Sequence, residues 1–154
     1  MLRIAVISDS HWGKTRLETF ARIAQEEAFD AVLHCGDGVS DAKWLAKNLA
    51  AEVRFVAGNC DPRFGCEREL RMAYDGVRLM MVHGDQYGVK YDYGTLSYHA
   101  EEAGAQVVLF GHTHQPFAGY VGGVLMVNPG SLKDGKFAVL QLERGQAVPF
   151  LKEF

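Results

Sequence analysis

The sequence predicts an α/β fold, and three observations carry that prediction. Strand-like and helix-like segments alternate through the first half of the chain. Turn dipeptides punctuate the second half, Asp75-Gly76 and Gly122-Gly123 among them. Hydrophobic residues make up 48% and charged residues 23% of the 154 positions, the balance of a packed globular chain rather than a disordered one.

Taken in order, Leu2–Ile7 reads as a buried strand. A helix follows, with Thr15 and Glu18 spaced as a capping box and Leu17, Phe20, Ala21, Ala24 and Ala28 on one face. Ala31–His34 is a short strand. Ser40 is placed to cap a second helix whose Trp44, Leu45 and Leu49 point inward. Val53–Ala57 is a third strand, and the β-α-β-α-β order implies parallel strands with helical crossovers. Glu69–Tyr74 and Val77–Val82 form a hairpin. A helix spans Thr95–Ala103 and stops at Gly104, and Gln106–Phe110 is another buried strand. Phe117–Val121 pairs with Val124–Val127, and Lys136–Leu142 with Gln146–Leu151 across Glu143–Gly145. With no repeat, low-complexity tract or linker, residues 1–154 are expected to form a single domain.

Composition narrows the function. The formal net charge of -3 disfavours broad contact with duplex nucleic acid, which needs a basic face. Cys35, Cys60 and Cys66 form neither a disulfide framework nor a CxxC pair, so a reducing, cytoplasmic setting is expected. The apolar run Ile4–Ile7 is far shorter than a signal-peptide core of about 7–15 residues. Residues 104–132 lack Asp, Glu, Lys and Arg, but Pro116, Pro129, Asn128, two histidines and several glycines interrupt them, so no membrane span is expected.

Polar residues with ligand chemistry repeatedly follow apolar runs: Asp9 and His11, Asp37, Asn59, His83, and His112 with His114. Parallel strands bring their C-terminal ends to one edge, where open α/β sheets bind ligands, so these side chains are expected to converge on one rim. Carboxylate, amide and imidazole donors together suit manganese, iron, nickel or zinc. Seven ligands exceed the needs of one ion and suit two ions sharing a carboxylate. Asp9 or Asp37 alone reads equally well as a helix cap, and His83 alone as a structural histidine. Their company with the other five favours ligation.

Set in chain order, these motifs are Asp9-Ser10-His11, Gly36-Asp37, Gly58-Asn59-Cys60-Asp61, His83-Gly84, Gly111-His112-Thr113-His114 and Asn128-Pro129-Gly130-Ser131. The chain thereby resembles the calcineurin-like metallophosphoesterase superfamily over residues 2–131, and most of all its small bacterial and archaeal phosphodiesterases. The resemblance implies a four-layer fold, two mixed β-sheets packed as a sandwich flanked by helices. It implies two divalent metal ions, manganese first, with nickel, iron, zinc or magnesium also suited. One ion falls to Asp9, His11, Asp37 and His114, the other to Asp37, Asn59, His83 and His112, with Asp37 bridging. Such paired ions lie about 3.5–4 Å apart, and a hydroxide bridging them attacks phosphorus in line with the leaving oxygen. Asp37, Asn59, Cys60 and His83 are the expected catalytic set.

Cys60 departs from the family pattern, which usually has histidine there. A thiol is a weak donor with an unperturbed pKa near 8.5, so diesters and esters with good leaving groups are the expected substrates. Asp61 reads as a partner of the ligands, His34 and Cys35 as structural, Cys66 as a loop residue, and His99 as a surface or interface residue. Lys14, Arg63 and Tyr87 read as ordinary exposed residues near motif loops, and Trp12 as a wall or floor of the pocket. The expected partner is a small phosphate ester, with a homodimer or homotetramer left open. Two competing readings are a non-catalytic scaffold, since the retromer scaffold subunit resembles this fold with parts of the metal set lost, and a small nuclease of the same superfamily. The complete seven-residue set argues against the first, the acidic balance and short chain against the second.

Overall fold

Ile4–Ile7 are apolar and fully buried because both faces of β1 (Leu2–Ile7) are covered. In the computed structural model, which describes residues 1–62 and 64–154, β1 leads into α1 (Lys14–Glu27), β2 (Ala31–His34), α2 (Val39–Asn48) and β3 (Glu52–Phe55). The three strands are parallel, with Ile7 opposite His34 and His34 opposite Phe55, so their C-terminal ends are level. The chain then passes through β4 (Glu69–Tyr74), β5 (Val77–Val82), α3 (Gly94–Glu102), β6 (Val107–Leu109), β7 (Phe117–Val121), β8 (Val124–Asn128), β9 (Lys136–Glu143) and β10 (Gln146–Glu153). Among the described residues these strands make two five-stranded mixed sheets, ordered β10-β9-β1-β2-β3 and β4-β5-β6-β8-β7.

Period-two alternation assigns the faces. Ile4, Val6 and Leu33 meet Leu79, Met81, Leu109 and Val127 between the sheets. Ala5, Ile7 and Val32 turn outward beneath Leu17 and Phe20 of α1 and Leu45 of α2. On the far side, Met80, Val108 and Met126 lie beneath Leu96 and Ala100 of α3. Helices, sheet, sheet and helix therefore stack in the four expected layers. The β4–β5 hairpin turns at Asp75 and Gly76, both at positive φ (48° and 79°), as a two-residue turn with the handedness of the strands requires. No helix among the described residues is long and apolar enough to cross a membrane.

Both expected helix caps are absent. α1 starts at Lys14 behind Gly13 with no side-chain cap, which leaves Thr15 and Glu18 inside the helix rather than bracketing its start. α2 starts at Val39, one residue before Ser40, and its first amides are taken by Asp61. A partner 22 residues distant in sequence displaces the local one. Trp44 does not point inward but stands exposed, because the space between α1 and α2 is left open as a cavity. Leu49 is the C-cap of α2 and only half-buried. β3 stops at Phe55, and Val56 and Ala57 continue as buried loop.

Candidate metal centre

The level strand ends place the motif loops side by side. Asp9 donates its amide to the Gly36 carbonyl at 2.9 Å, and His11 its amide to that of Asp37 at 3.0 Å. From the second sheet, Gly111 N–H reaches the His83 carbonyl at 2.9 Å, and His112 N–H crosses between the sheets to Asp9 Oδ2 at 3.0 Å. Asp9, His11, Asp37, His112 and His114 all hold left-handed backbones, with φ of 53°, 46°, 59°, 70° and 62°. Such conformations are unfavourable by about 1–3 kcal/mol for side-chain-bearing residues, least for Asp, Asn and His. Their gathering at one rim marks a place where geometry is imposed for a purpose other than stability. Two glycines allow the loops to close: a Cβ on Gly58 would collide with Asp37 Oδ1, and one on Gly111 would lie 2.5 Å from Asp9 Oδ2.

Each carboxylate has one oxygen fixed and one presented. Asp9 Oδ2 accepts from Ser8 Oγ at 2.6 Å as well as from His112 N–H. Its Oδ1 is buried and has no hydrogen-bond partner among the described residues. It faces the Nε2 atoms of His114, His11 and His83 at 3.2, 3.5 and 3.8 Å. Asp37 Oδ1 accepts the Cys60 amide at 2.8 Å, while Oδ2 lies 3.2 Å from His83 Nε2 and 3.9 Å from His11 Nε2. His83 donates Nδ1–H to the Cys35 carbonyl at 2.8 Å, which turns its Nε2 toward the carboxylates.

Imidazole nitrogens also face one another. His11 and His114 meet Nε2 to Nε2 at 3.3 Å, and His112 Nδ1 lies 3.3 Å from His83 Nε2. Lone pairs so placed repel unless a proton or cation lies between them. Burial works against ionisation of Asp37, but the hydrogen bond and charge of His83 and the Cys60 amide outweigh it and hold the carboxyl below its usual range. Burial likewise opposes charge on His83, yet Asp37 and Asp9 raise it. His112 is lowered by burial and by the neighbouring His83 and Lys90.

Six of the seven predicted ligands thus converge. Asn59 is exposed, with Nδ2 3.8 Å from Cys60 Sγ. Cys60 Sγ in turn falls within ligand range of His11 and Asp37, and burial and the Asp37 charge push its thiol up, keeping it protonated. Asp61 is the partner expected. It accepts the amides of Asp37, Gly38, Val39 and Gly58 at 2.7–3.0 Å, fixing the two loops that carry Asp37 and Asn59. His34 is buried, accepting the Gly36 amide at Nδ1 and meeting Ser10 Oγ with Nε2. Burial drives its pKa down to about 4. Cys35 is in the core, and Cys66 lies on a loop. His99 lies on α3 near the surface against Glu69. Lys14 is exposed, Tyr87 half-buried, and Arg63 lies outside the described residues.

Sequence reasoning gave no role to Ser8, Asn128 or Ser131. Ser131 Oγ donates to the Asp9 carbonyl at 2.7 Å, and Asn128 Nδ2 donates to the Gly111 carbonyl at 3.1 Å. The Asn128–Ser131 motif was visible; what each member touches required the second sheet to be folded against the first.

The donor set fits divalent cations. Asp9, His11 and His114 form one compact group, His11, Asp37 and Cys60 a second, and Asp9, Asp37 and His83 a third, so each aspartate belongs to two. Residues 2–145 match the family model of the calcineurin-like phosphoesterase superfamily domain. The chain belongs to that superfamily. It is 33% identical over 153 residues to the probable metallophosphoesterase YsnB of Bacillus subtilis, covering 96% of this chain and 88% of that one. The phosphodiesterase MJ0936 of Methanocaldococcus jannaschii is 26% identical over 146 residues, covering 84% of this chain and 83% of that one. Among solved structures, zinc-complexed Vps29 of Entamoeba histolytica aligns with a TM-score of 0.79 over 99% of both chains at 20% identity, a likeness of fold alone. The calcineurin-like family is one of metal-dependent phosphoesterases, so the cluster on the rim is a set of candidate ligands for divalent metal ions.

Proposed function

We propose that this calcineurin-like protein is a two-metal phosphodiesterase acting on small esters. The observation that carries the reading is the pair of buried carboxylates, each with one oxygen anchored by protein donors and the other presented to imidazole nitrogens. Asp9, His11, Asp37 and His114 would hold one ion, and Asp37, Asn59, His83 and His112 the other. The 3.2 and 3.9 Å approaches of Asp37 Oδ2 to His83 and His11 support a bridging role for it. When bound, the ions supply Lewis-acid polarisation of the phosphoryl oxygens and a water nucleophile of lowered pKa. Manganese suits the mixed oxygen and nitrogen set, and nickel, iron, zinc and magnesium are alternatives for metal analysis to separate.

The chain's own residues orient these parts. Cys35 holds the His83 tautomer through its carbonyl. Ser8 and the His112 amide hold the rotamer of Asp9, and Asp61 ties the Asp37 loop to the Asn59–Cys60 loop. Cys60 is exposed beside Asp37, whose Oδ1 accepts its amide, and a thiol is a weak hydrogen-bond donor to any leaving group that reaches it. Esters that leave without protonation are therefore the best substrates.

The test is turnover of bis(p-nitrophenyl) phosphate by protein loaded with manganese or nickel, against an alkyl phosphodiester. Faster release of p-nitrophenol is expected, and Cys60→His should narrow the gap. No turnover with any divalent ion would favour a scaffold role, and equal rates on both esters would remove the leaving-group argument.

A further inference from the structure

One cavity adjoins the metal cluster without belonging to it. It lies between the N-terminal halves of α1 and α2, encloses about 360 Å³, and is lined by both of the chain's tryptophans. Trp12 is 50% and Trp44 38% exposed. Trp12 follows His11 directly, and the two rings stand edge to face with centroids 6.2 Å apart. Its backbone is left-handed at φ 60°, a conformation tolerated by Asp, Asn and His but strained for tryptophan. Its amide is fixed by buried Asp41 Oδ2 at 3.0 Å. An indole is thus held out beside a candidate metal ligand, in an unfavourable conformation, by a buried carboxylate.

We propose that this cavity is the subsite for a nucleobase, so that the substrate is a small nucleoside phosphodiester. The inference rests on the phosphodiesterase reading for its location. Two indoles on one cavity suit a planar ring, because stacking needs only a π-face on the ligand. Lys14, Glu18 and Ser40 line the same cavity; Lys14 and Glu18 lie 4.0 Å from one another, and the three exposed side chains offer donors and acceptors to ring nitrogens and exocyclic groups. Its volume falls in the range of small-ligand sites, and the net charge of -3 argues for one nucleotide unit rather than a polymer. Trp12, on the wall of the cavity, follows the candidate ligand His11 directly in the chain, which places the cavity next to the metal cluster.

Because Trp12 and Trp44 are the chain's two tryptophans, tryptophan fluorescence of the protein, excited to the red of tyrosine absorption at fixed metal loading, reports on the walls of this cavity. Adenosine, which carries no phosphate, should quench it saturably, and Trp44→Leu should weaken that binding about tenfold. In turnover, three esters with the same p-nitrophenolate leaving group are compared, carrying thymidine, phenyl or methyl as the second group. Wild type should favour the thymidine ester over the methyl ester in kcat/KM, and Trp12→Leu and Trp44→Leu should each lower that ratio about tenfold. A ratio equal in wild type and both variants overturns the subsite while leaving the phosphodiesterase reading standing. An equal preference for phenyl and thymidine overturns the nucleobase assignment. Saturable adenosine quenching with no turnover of any ester supports the base subsite and counts against the phosphodiesterase reading.

Discussion

Two histidine–carboxylate pairs in this molecule have similar separations and differ in their surroundings. His99 meets Glu69 at 2.9 Å between α3 and β4, and His83 meets Asp37 at 3.2 Å at the rim. The shorter pair is the ordinary one. Its side chains are 35% and 27% exposed, Tyr87 and Arg71 complete the hydrogen bonding of Glu69, and the Tyr87 ring stacks on His99 with centroids 4.7 Å apart. The rim pair is 1% and 3% exposed and adjoins a carboxylate oxygen with no donor and imidazoles turned toward one another. A metal centre is recognised by unsatisfied acceptors converging in a buried place. A good hydrogen bond between an acid and a histidine does not identify one.

The sharpest way to break this contrast is to neutralise one member of each pair. Asp37→Asn should lower phosphodiester turnover by about a hundredfold or more, exceeding the roughly 10–100-fold typical of outer-sphere changes, as measured by kcat/KM on bis(p-nitrophenyl) phosphate. Asp61→Ala should follow, with a loss of about 10–100-fold in activity or metal affinity. It should also destabilise the fold by at least about 3 kcal/mol in urea melts, because four amides lose their acceptor.

A smaller effect comes from His34. Its folded pKa of about 4 lies below the unfolded value near 6.5, so the unfolded chain binds the extra proton first. Stability from this residue is fully present above pH 6.5 and is lost as pH falls toward 4, by about 3 kcal/mol in all. Protonation would place a donor at Nδ1 against the Gly36 amide. Urea midpoints measured across that window should fall with acidity, and His34→Gln should flatten the slope. Least of all, Glu69→Gln should change stability by no more than about 1 kcal/mol, as expected for a solvent-screened pair, and leave turnover intact.

How much of this was legible in the sequence depends on the range of the interaction. Asp9, Asp37, His83, His112 and His114 were legible because each follows an apolar run that could only be a buried strand, and parallel strands end together. Their convergence follows from topology, without knowledge of any rotamer. The helix caps were not legible, since Thr15, Glu18 and Ser40 had the right local spacing while a carboxylate brought in from the Asn59 loop satisfied α2. Trp44 sits at an inward-facing position of the helical period, but periodicity cannot show that α1 and α2 part to leave a cavity there. Nor can spacing reveal that Asp9 Oδ2 would be satisfied and Oδ1 left unpartnered, which depends on Ser8 and on His112 arriving from the other sheet.

In the two-metal reading proposed above, the rim holds two divalent ions with Asp37 between them. Equilibrium dialysis of the wild type and Asp37→Asn against manganese, with bound metal counted per chain, tests it most directly. Two ions per wild-type chain and the loss of at least one in the variant are expected. A single ion in the wild type, or equal occupancy in both proteins, would contradict that reading.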